Sequence, residues 1–275
     1  GRSRWCFTGE AVHVREIPRK GLGVIARRCF GAGECILAES PLATWEIDVR
    51  SEFTDTCALE RRIEELTPAA RQSFYELCDS KAAVDGQRSK TAFGIWTSNA
   101  YALETGDCFA PADEPISRTA VFCTICRINH ACRPNAHIAW NPSLGVQTVY
   151  ALRQIACGEE VTVSFVGAHA LAPTPERRAR LERTKCFVCA CEACSLEGEA
   201  RAKSEDRIRK IAIAEARLHA PTDVIAHVEE LWQLTAAEGA PLIWQRAAVL
   251  AAMMHAKQAG RLDVALLWAK RGASS

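Results

Sequence analysis

Short apolar runs cluster in two regions of the chain. VHVREI (12–17), GLGVIA (21–26), HIAWN (137–141), VQTVYAL (146–152) and EVTVSFV (160–166) are rich in β-branched and aromatic residues and read as strands. Two further segments resemble each other. ARRCFGAGECI (26–36) and ALRQIACGEEV (151–161) share an Ala, a basic residue two positions later, then Gly-Glu and an aliphatic residue. Each flanks a Gly-containing turn with apolar residues, so each predicts a hairpin. Between the two β regions the period changes. Leu59, Ile63 and Leu66 recur at helical spacing, and Thr67-Pro68 then opens a second helix as N-cap and first position. Phe74 and Leu77 continue its apolar face. Residues 104–118, with Gly, Pro and acids, read as a loop.

Beyond about residue 200 the chain becomes Ala-rich, and no cysteine follows Cys194. Val224, Ile225, Val228, Leu231 and Trp232 mark the apolar stripe of one helix. Ile243, Ala247, Leu250 and Met254 mark a second. Gly260 breaks it, and Leu262, Ala265, Leu266 and Ala269 mark a third. Short connections predict antiparallel neighbours. A tetratricopeptide-like stack is one arrangement, and a helical appendage covering the β core is the other. The fold class expected is α+β.

Composition narrows the field. The 275 residues suit one large domain or one domain with an appendage, and 48% are apolar, enough for a sizeable core. No run approaches the roughly 20 apolar residues of a membrane helix. The first ten residues, GRSRWCFTGE, have no apolar core of a signal peptide and no initiating Met, as in a fragment. Net charge is +1 with signs mixed, which offers no electrostatic reason for a nucleic-acid or membrane partner. A monomer is expected. The 14 cysteines, without a signal peptide, point to a reducing, intracellular compartment, with most of them buried as small hydrophobes.

One cysteine cluster is different. Residues 186–194 read CFVCACEAC, and four close thiols suit tetrahedral zinc. Cys189, Cys191 and Cys194 form a compact CxCxxC. The fourth ligand is Cys186, which keeps the site local, or a distant cysteine such as Cys132, which would dock the tail onto the central motif. Cys123 and Cys126, in apolar VFCTICRI, read as packed thiols. Cys132 itself lies in INHACRPN (128–135), where two Asn, a His and a Cys crowd eight positions ahead of a strand.

The order of these pieces is specific: a GLG strand, a GEC turn, a helical insert, NHACRPN, GEEVTVSF, then CxCxxC. It resembles the SET-domain protein lysine methyltransferases over roughly residues 9–196, and most the SET-and-MYND-like branch, here without a MYND-type cysteine set before Gly21. The resemblance implies a SET domain over 9–170 with a helical insert at about 48–92, short sheets and a pseudoknot. A zinc-binding post-SET segment over 171–196 and a helical region over 197–275 follow. It implies S-adenosylmethionine as cofactor, met by Lys20, Gly21, Leu22 and Gly23, by Asn99, by Asn129 and His130, and by Phe187 against adenine. It makes Cys132 the remote zinc ligand beside Cys189, Cys191 and Cys194, which releases Cys186. Pro134 and Asn135 hold the pseudoknot turn. The implied partner is a protein lysine, on a histone tail or elsewhere, in the nucleus or cytoplasm.

One position departs from the family. Phe165 stands where a catalytic tyrosine is expected, and a phenyl ring keeps the volume but donates no hydrogen bond. Of Tyr75, Tyr101 and Tyr150, only Tyr101 is placed near the site, next to Asn99. Two functions follow: a methyltransferase, or a catalytically weak SET module that binds cofactor or a protein partner.

Overall fold

The computed structural model describes residues 10–48, 56–85, 89–103, 116–218 and 224–273. These fall into two compact units. One holds Gly1–Ala131, Asn135–Gly167 and Arg180–Val188, and the other Cys132–Pro134, Ala168–Ala179 and Cys189–Ser275. No described helix is long and apolar enough to cross a membrane.

The first unit carries three short sheets. β1 (Val12–Ile17), β2 (Gly21–Ala26), β10 (Glu160–Val163) and β7 (Asn129–His130) form one, in the order β1-β2-β10-β7. β3 (Cys35–Glu39), β9 (Val146–Ala151) and β8 (Ala136–Asn141) form the second. β4 (Ala43–Asp48), β6 (Ile116–Val121) and β5 (Tyr101–Ala102) form the third. All pairings are antiparallel except β10 with β7, where Thr162 faces Asn129 and Val163 faces His130. The five expected strands are present. Residues 104–115, most of the expected loop, lie outside the described residues, and Ile116–Arg118 belong to β6 instead.

The two similar segments are not hairpins. Each passes from one sheet to another, because β2 and β10 share a sheet while β3 and β9 share a different one. Their partners are each other. Phe30 and Ile155 exchange both backbone hydrogen bonds, at 2.9 and 3.0 Å. Ala26 N–H donates to Glu159 O while Ala151 N–H donates to Glu34 O, both at 2.9 Å. Within each segment a Gly takes positive φ (Gly33 at 77°, Gly158 at 87°) and a Glu pairs with the Arg six residues before it, Arg28–Glu34 and Arg153–Glu159. The repeat in the sequence is thus a local two-fold repeat in space. Period-two patterning reports that a segment pairs, but not with which partner.

The insert contributes α1 (Thr56–Glu64), α2 (Pro68–Tyr75), α3 (Ser80–Asp85) and α4 (Ala92–Asn99). Thr67 caps α2 by accepting from Ala70 N–H at 3.3 Å, as its sequence predicts. Leu59, Ile63, Phe74 and Leu77 are fully buried around Trp96. Asp79 ties α3 to α4: one carboxylate oxygen caps Lys81 and Ala82, the other accepts from Thr91 N–H. It lies so close that a Cβ at Gly94 would fall 2.0 Å from its carboxylate.

The second unit carries α6 (Gly198–Arg217), α7 (Val224–Glu238), α8 (Arg246–Gln258) and α9 (Leu262–Ala273), around buried Val228, Leu231, Ala252 and Trp268. α5 (Thr174–Lys185), assigned to the second unit as far as Ala179 and to the first from Arg180, precedes the cysteine cluster. The stripe expected on α7 is the buried one for Val224, Val228 and Leu231. On α8 and α9 the expectation is overturned. Leu250, Met254, Leu262 and Leu266 are 48–68% exposed, while Ala248, Val249, Ala252, Ala256 and Trp268 are buried. Helical spacing fitted either face, and small residues won because they let the helices close. Gly272 on α9 sits where a Cβ would come within 2.9 Å of Val249 Cγ1.

Candidate functional site

INHACRPN is divided between the two units, with Cys132–Pro134 in the second and the rest in the first. On the first unit, a buried carboxylate sets the approach. Glu39, at the end of β3, accepts from Thr124 and Ile125 N–H at 2.9 Å, and so caps the 3-10 turn Ile125–Arg127 that leads into β7. Burial raises its pKa above the ordinary carboxylate value, against those backbone hydrogen bonds. Nothing in the sequence marked Glu39.

Asn129 then faces β2 and β10. Its amide donates to Leu22 O at 3.1 Å and to Glu160 Oε1 at 2.9 Å, and Glu160 Oε2 pairs with Lys20 Nζ at 2.6 Å. A Cβ on Gly23 would lie 2.6 Å from Ile17 Cγ1 and 2.8 Å from Asn129 Nδ2, so only glycine lets the Asn129 amide in. Gly21 has a different need. Its φ is +71°, and space around its Cβ position is open. Glu160, the second Glu of GEEVTVSF, was legible as motif but not as the joint between Lys20 and Asn129. Asn135, fully buried, clamps the far side of the loop to β10: its oxygen accepts from Thr162 N–H at 2.8 Å, and its amide reaches Glu160 O at 2.9 Å.

His130 is buried, and its Nδ1 accepts from Phe165 N–H at 3.0 Å. That bond is open because β10 stops at Val163, two residues short of the phenylalanine. The His130 ring lies 5.5 Å from the ring of Phe165 and 6.2 Å from that of Phe187, and the two phenyl rings meet edge to face at 6.5 Å. Three residues singled out in the sequence therefore form one aromatic group.

Beside it is a pocket of about 110 Å³, lined by Phe165, Tyr101, Cys126, the Ser98–Ala100 stretch, and Arg180, Thr184 and Lys185. Tyr101 is buried, its ring 6.2 Å from that of Phe122. Burial pushes the Cys126 thiol up to about 12, and its sulfur is engaged by Phe122 N–H and Asn99 O. Cys126 is thus a packed thiol. Asn99 is part of this wall, and its amide donates to Cys78 O and Ile95 O at 2.7 and 2.6 Å, inside the insert.

On the second unit, Cys132, Cys189, Cys191 and Cys194 bring all four sulfurs within 4.8 Å of one another. Cys186 is not one of the group. Cys132 and Cys194 sulfurs are 3.6 Å apart. Zinc–sulfur bonds of about 2.3 Å in a tetrahedron put sulfurs roughly 3.8 Å apart, so these residues fit such an ion. Hydrogen bonds within the group split the thiols: Cys194 is lowered to about 6 and Cys191 is lowered as well, each first by Cys132, while Cys132 and Cys189 are raised. The buried Arg177 guanidinium donates to Cys194 Sγ at 3.6 Å, and Arg178 holds the loop through Cys189 O and Cys194 O. With such an ion bound, four thiolates would keep excess negative charge, and the Arg177 guanidinium is placed to offset it. Neither arginine was singled out in the sequence; RRAR reads as a solvated helix face.

The family model of the SET domain matches residues 21–166, more than half of the chain. The chain belongs to the SET-domain family. The match opens at the Gly21 strand and closes just past Phe165; His130, Phe165 and the Asn129–Glu160 joint of this SET domain fall inside it, and Phe187 lies beyond it. Among curated proteins, the histone-lysine N-methyltransferase set5 of Schizosaccharomyces pombe is 29% identical over 206 residues, which cover 75% of this chain and 55% of that protein. The N-lysine methyltransferase SMYD2 of Homo sapiens is 34% identical over 106 residues, 38% of this chain and 23% of that one. The SET chain thus spans about half the length of the first relative and about a quarter of the second. A solved Plasmodium falciparum chain overlaps 57% of this chain and 94% of its own at 15% identity, with a TM-score of 0.30, too low to bear on the fold.

Proposed function

We propose that the chain is an S-adenosylmethionine-dependent protein-lysine N-methyltransferase, acting on a histone or another protein in the nucleus or cytoplasm, with a zinc-held cysteine loop. The reading divides it into a SET domain over 9–170, a post-SET zinc segment over 171–196 and a helical region over 197–275. The observation that carries it is the grouping of His130, Phe165 and Phe187 beside a pocket shared with Tyr101. The relatives' names supply the substrate class.

In this reading Lys20, Gly21, Leu22, Gly23, Asn99, Asn129, His130 and Phe187 make the cofactor side. When bound, S-adenosylmethionine supplies a methyl group on a sulfonium. The Asn129 amide donates twice within the protein, so its oxygen would be the atom left to accept from the cofactor's ammonium. A lysine amine, with an ordinary pKa of ~10.4, must shed its proton before attack. Phe165, Tyr101 and Cys126 give the pocket apolar walls, which disfavour the charged form. Phe165 shapes the channel without orienting the amine by a hydrogen bond, and Tyr101 holds the candidate hydroxyl. Cys132, Cys189, Cys191 and Cys194 would hold zinc, which orders the loop after Phe187 and takes no part in transfer.

A second reading, a catalytically weak SET module that binds cofactor or a protein partner, is favoured by Phe165 alone. Two measurements decide. Calorimetry of the zinc-loaded chain with S-adenosylhomocysteine tests the pocket, and no heat of binding sinks the methyltransferase and the cofactor-binding module alike. Labelled S-adenosylmethionine with histones and cell extract tests transfer, and binding without transfer selects the second.

A further inference from the structure

Lys185 ends α5, and the next residue, Cys186, has a left-handed backbone at φ 58°. A non-glycine residue is strained there. The turn sends side chains two ways. Phe187 meets His130, and the Lys185 ammonium lies 5.6 Å from the centre of the Phe165 ring, donating to Ser98 O at 3.0 Å. A carbonyl oxygen and an aromatic face together form a receptor for an ammonium group. Both belong to the pocket already described, and Arg180 adds a second cation to its walls. Among the described residues no carboxylate lines it, and the Ser98 oxygen that an entering ammonium would use is already taken by Lys185.

We infer that Lys185 is a resident stand-in for the substrate lysine: its ammonium fills the amine-binding end of the pocket, and an external lysine must displace it. This rests on the methyltransferase reading only in naming what is displaced. The occupancy itself is a statement about Ser98, Phe165 and Lys185. Lys185 thereby sets how readily the pocket accepts substrate. Shortening the side chain to alanine leaves an empty slot shaped for three methylenes and an ammonium.

The probe is n-butylammonium, a lysine side chain without its backbone, with n-butanol and sodium chloride as controls. The full chain with Lys185→Ala should show a rise in melting temperature with n-butylammonium that neither control reproduces, and wild type should show none. An equal response in both proteins, or none in a folded, zinc-loaded variant, overturns the inference. Acetylation footprinting of wild type needs no variant. Lys185 should react about tenfold more slowly than exposed Lys81 and Lys257, as fits an amine held by a hydrogen bond. Equal rates overturn the inference. Methyl transfer to a lysine-rich peptide is scored separately and should rise several-fold in Lys185→Ala. Silence in both proteins, with the n-butylammonium response intact, sinks the methyltransferase reading and leaves the occupancy standing. A methyl group found on Lys185 by mass spectrometry would instead make it an acceptor and overturn its role as a stand-in.

Discussion

Phe165 is tethered to His130 through its backbone: the amide N–H donates to Nδ1 at 3.0 Å, and the rings sit 5.5 Å apart. The ring's position is therefore set by the main chain and not by its own para substituent. Phe165→Tyr should keep that position and add a hydroxyl at the pocket. We expect faster methyl transfer with unchanged cofactor affinity, because the new group acts on alignment in the transition state. Single-turnover rates of both proteins, with folding checked, test this. Equal, robust rates would point to Tyr101 or to no need of a hydroxyl.

Truncating the imidazole should be costly. His130→Ala removes a buried ring from an aromatic group and leaves the Phe165 N–H without its acceptor. The loss of packing and of a buried hydrogen bond together should destabilise by about 3–5 kcal/mol. Urea unfolding followed by fluorescence measures it. A loss under about 1 kcal/mol would mean that water replaces the acceptor.

The cysteine set can be tested one residue at a time. Ser at Cys132, Cys189, Cys191 or Cys194 should each release zinc, and Cys186→Ser should retain it. Metal content of the purified variants is the readout. Retention by Cys132→Ser would break the assignment, since that residue alone comes from outside the local cluster.

Gly21 and Gly23 should separate. Gly23→Ala drives a methyl into Ile17 and the Asn129 amide, so it should cost about 1–3 kcal/mol by overpacking and weaken cofactor binding. Gly21→Ala meets no protein atom and costs about 1–2 kcal/mol for its positive φ, with a smaller loss of binding than Gly23→Ala. Thermal melts and calorimetry on both proteins decide. Identical binding defects would place the glycines' role at the cofactor itself.

The helical unit holds the Cys132–Pro134 stretch through one buried acid. Glu238, at the end of α7 and 4% exposed, receives Arg133 and Arg207, and Ser204 donates to it at 2.6 Å. Arg133→Met leaves Glu238 partly uncompensated and should cost about 3 kcal/mol, the low end for breaking a buried pair. Adding Glu238→Gln to it should recover part of that loss. Chemical denaturation of the single and double variants gives the coupling.

Local chemistry was legible in the sequence. Thr67-Pro68 predicted its cap, the five strand segments their extended backbone, and CxCxxC its clustered thiols. Each depends on residues near one another along the chain. What the sequence left open was which distant group answers. Only the folded chain paired 26–36 with 151–161, joined Asn129 to Glu160, set Glu39 beneath the turn and put Cys132 among the three clustered thiols. It also turned Leu250 and Leu262 outward, because close helix approach favoured alanine and glycine at the contact. Periodicity records that a face or an edge will be covered. The partner is chosen by the loop closures and packing that the whole chain can satisfy together.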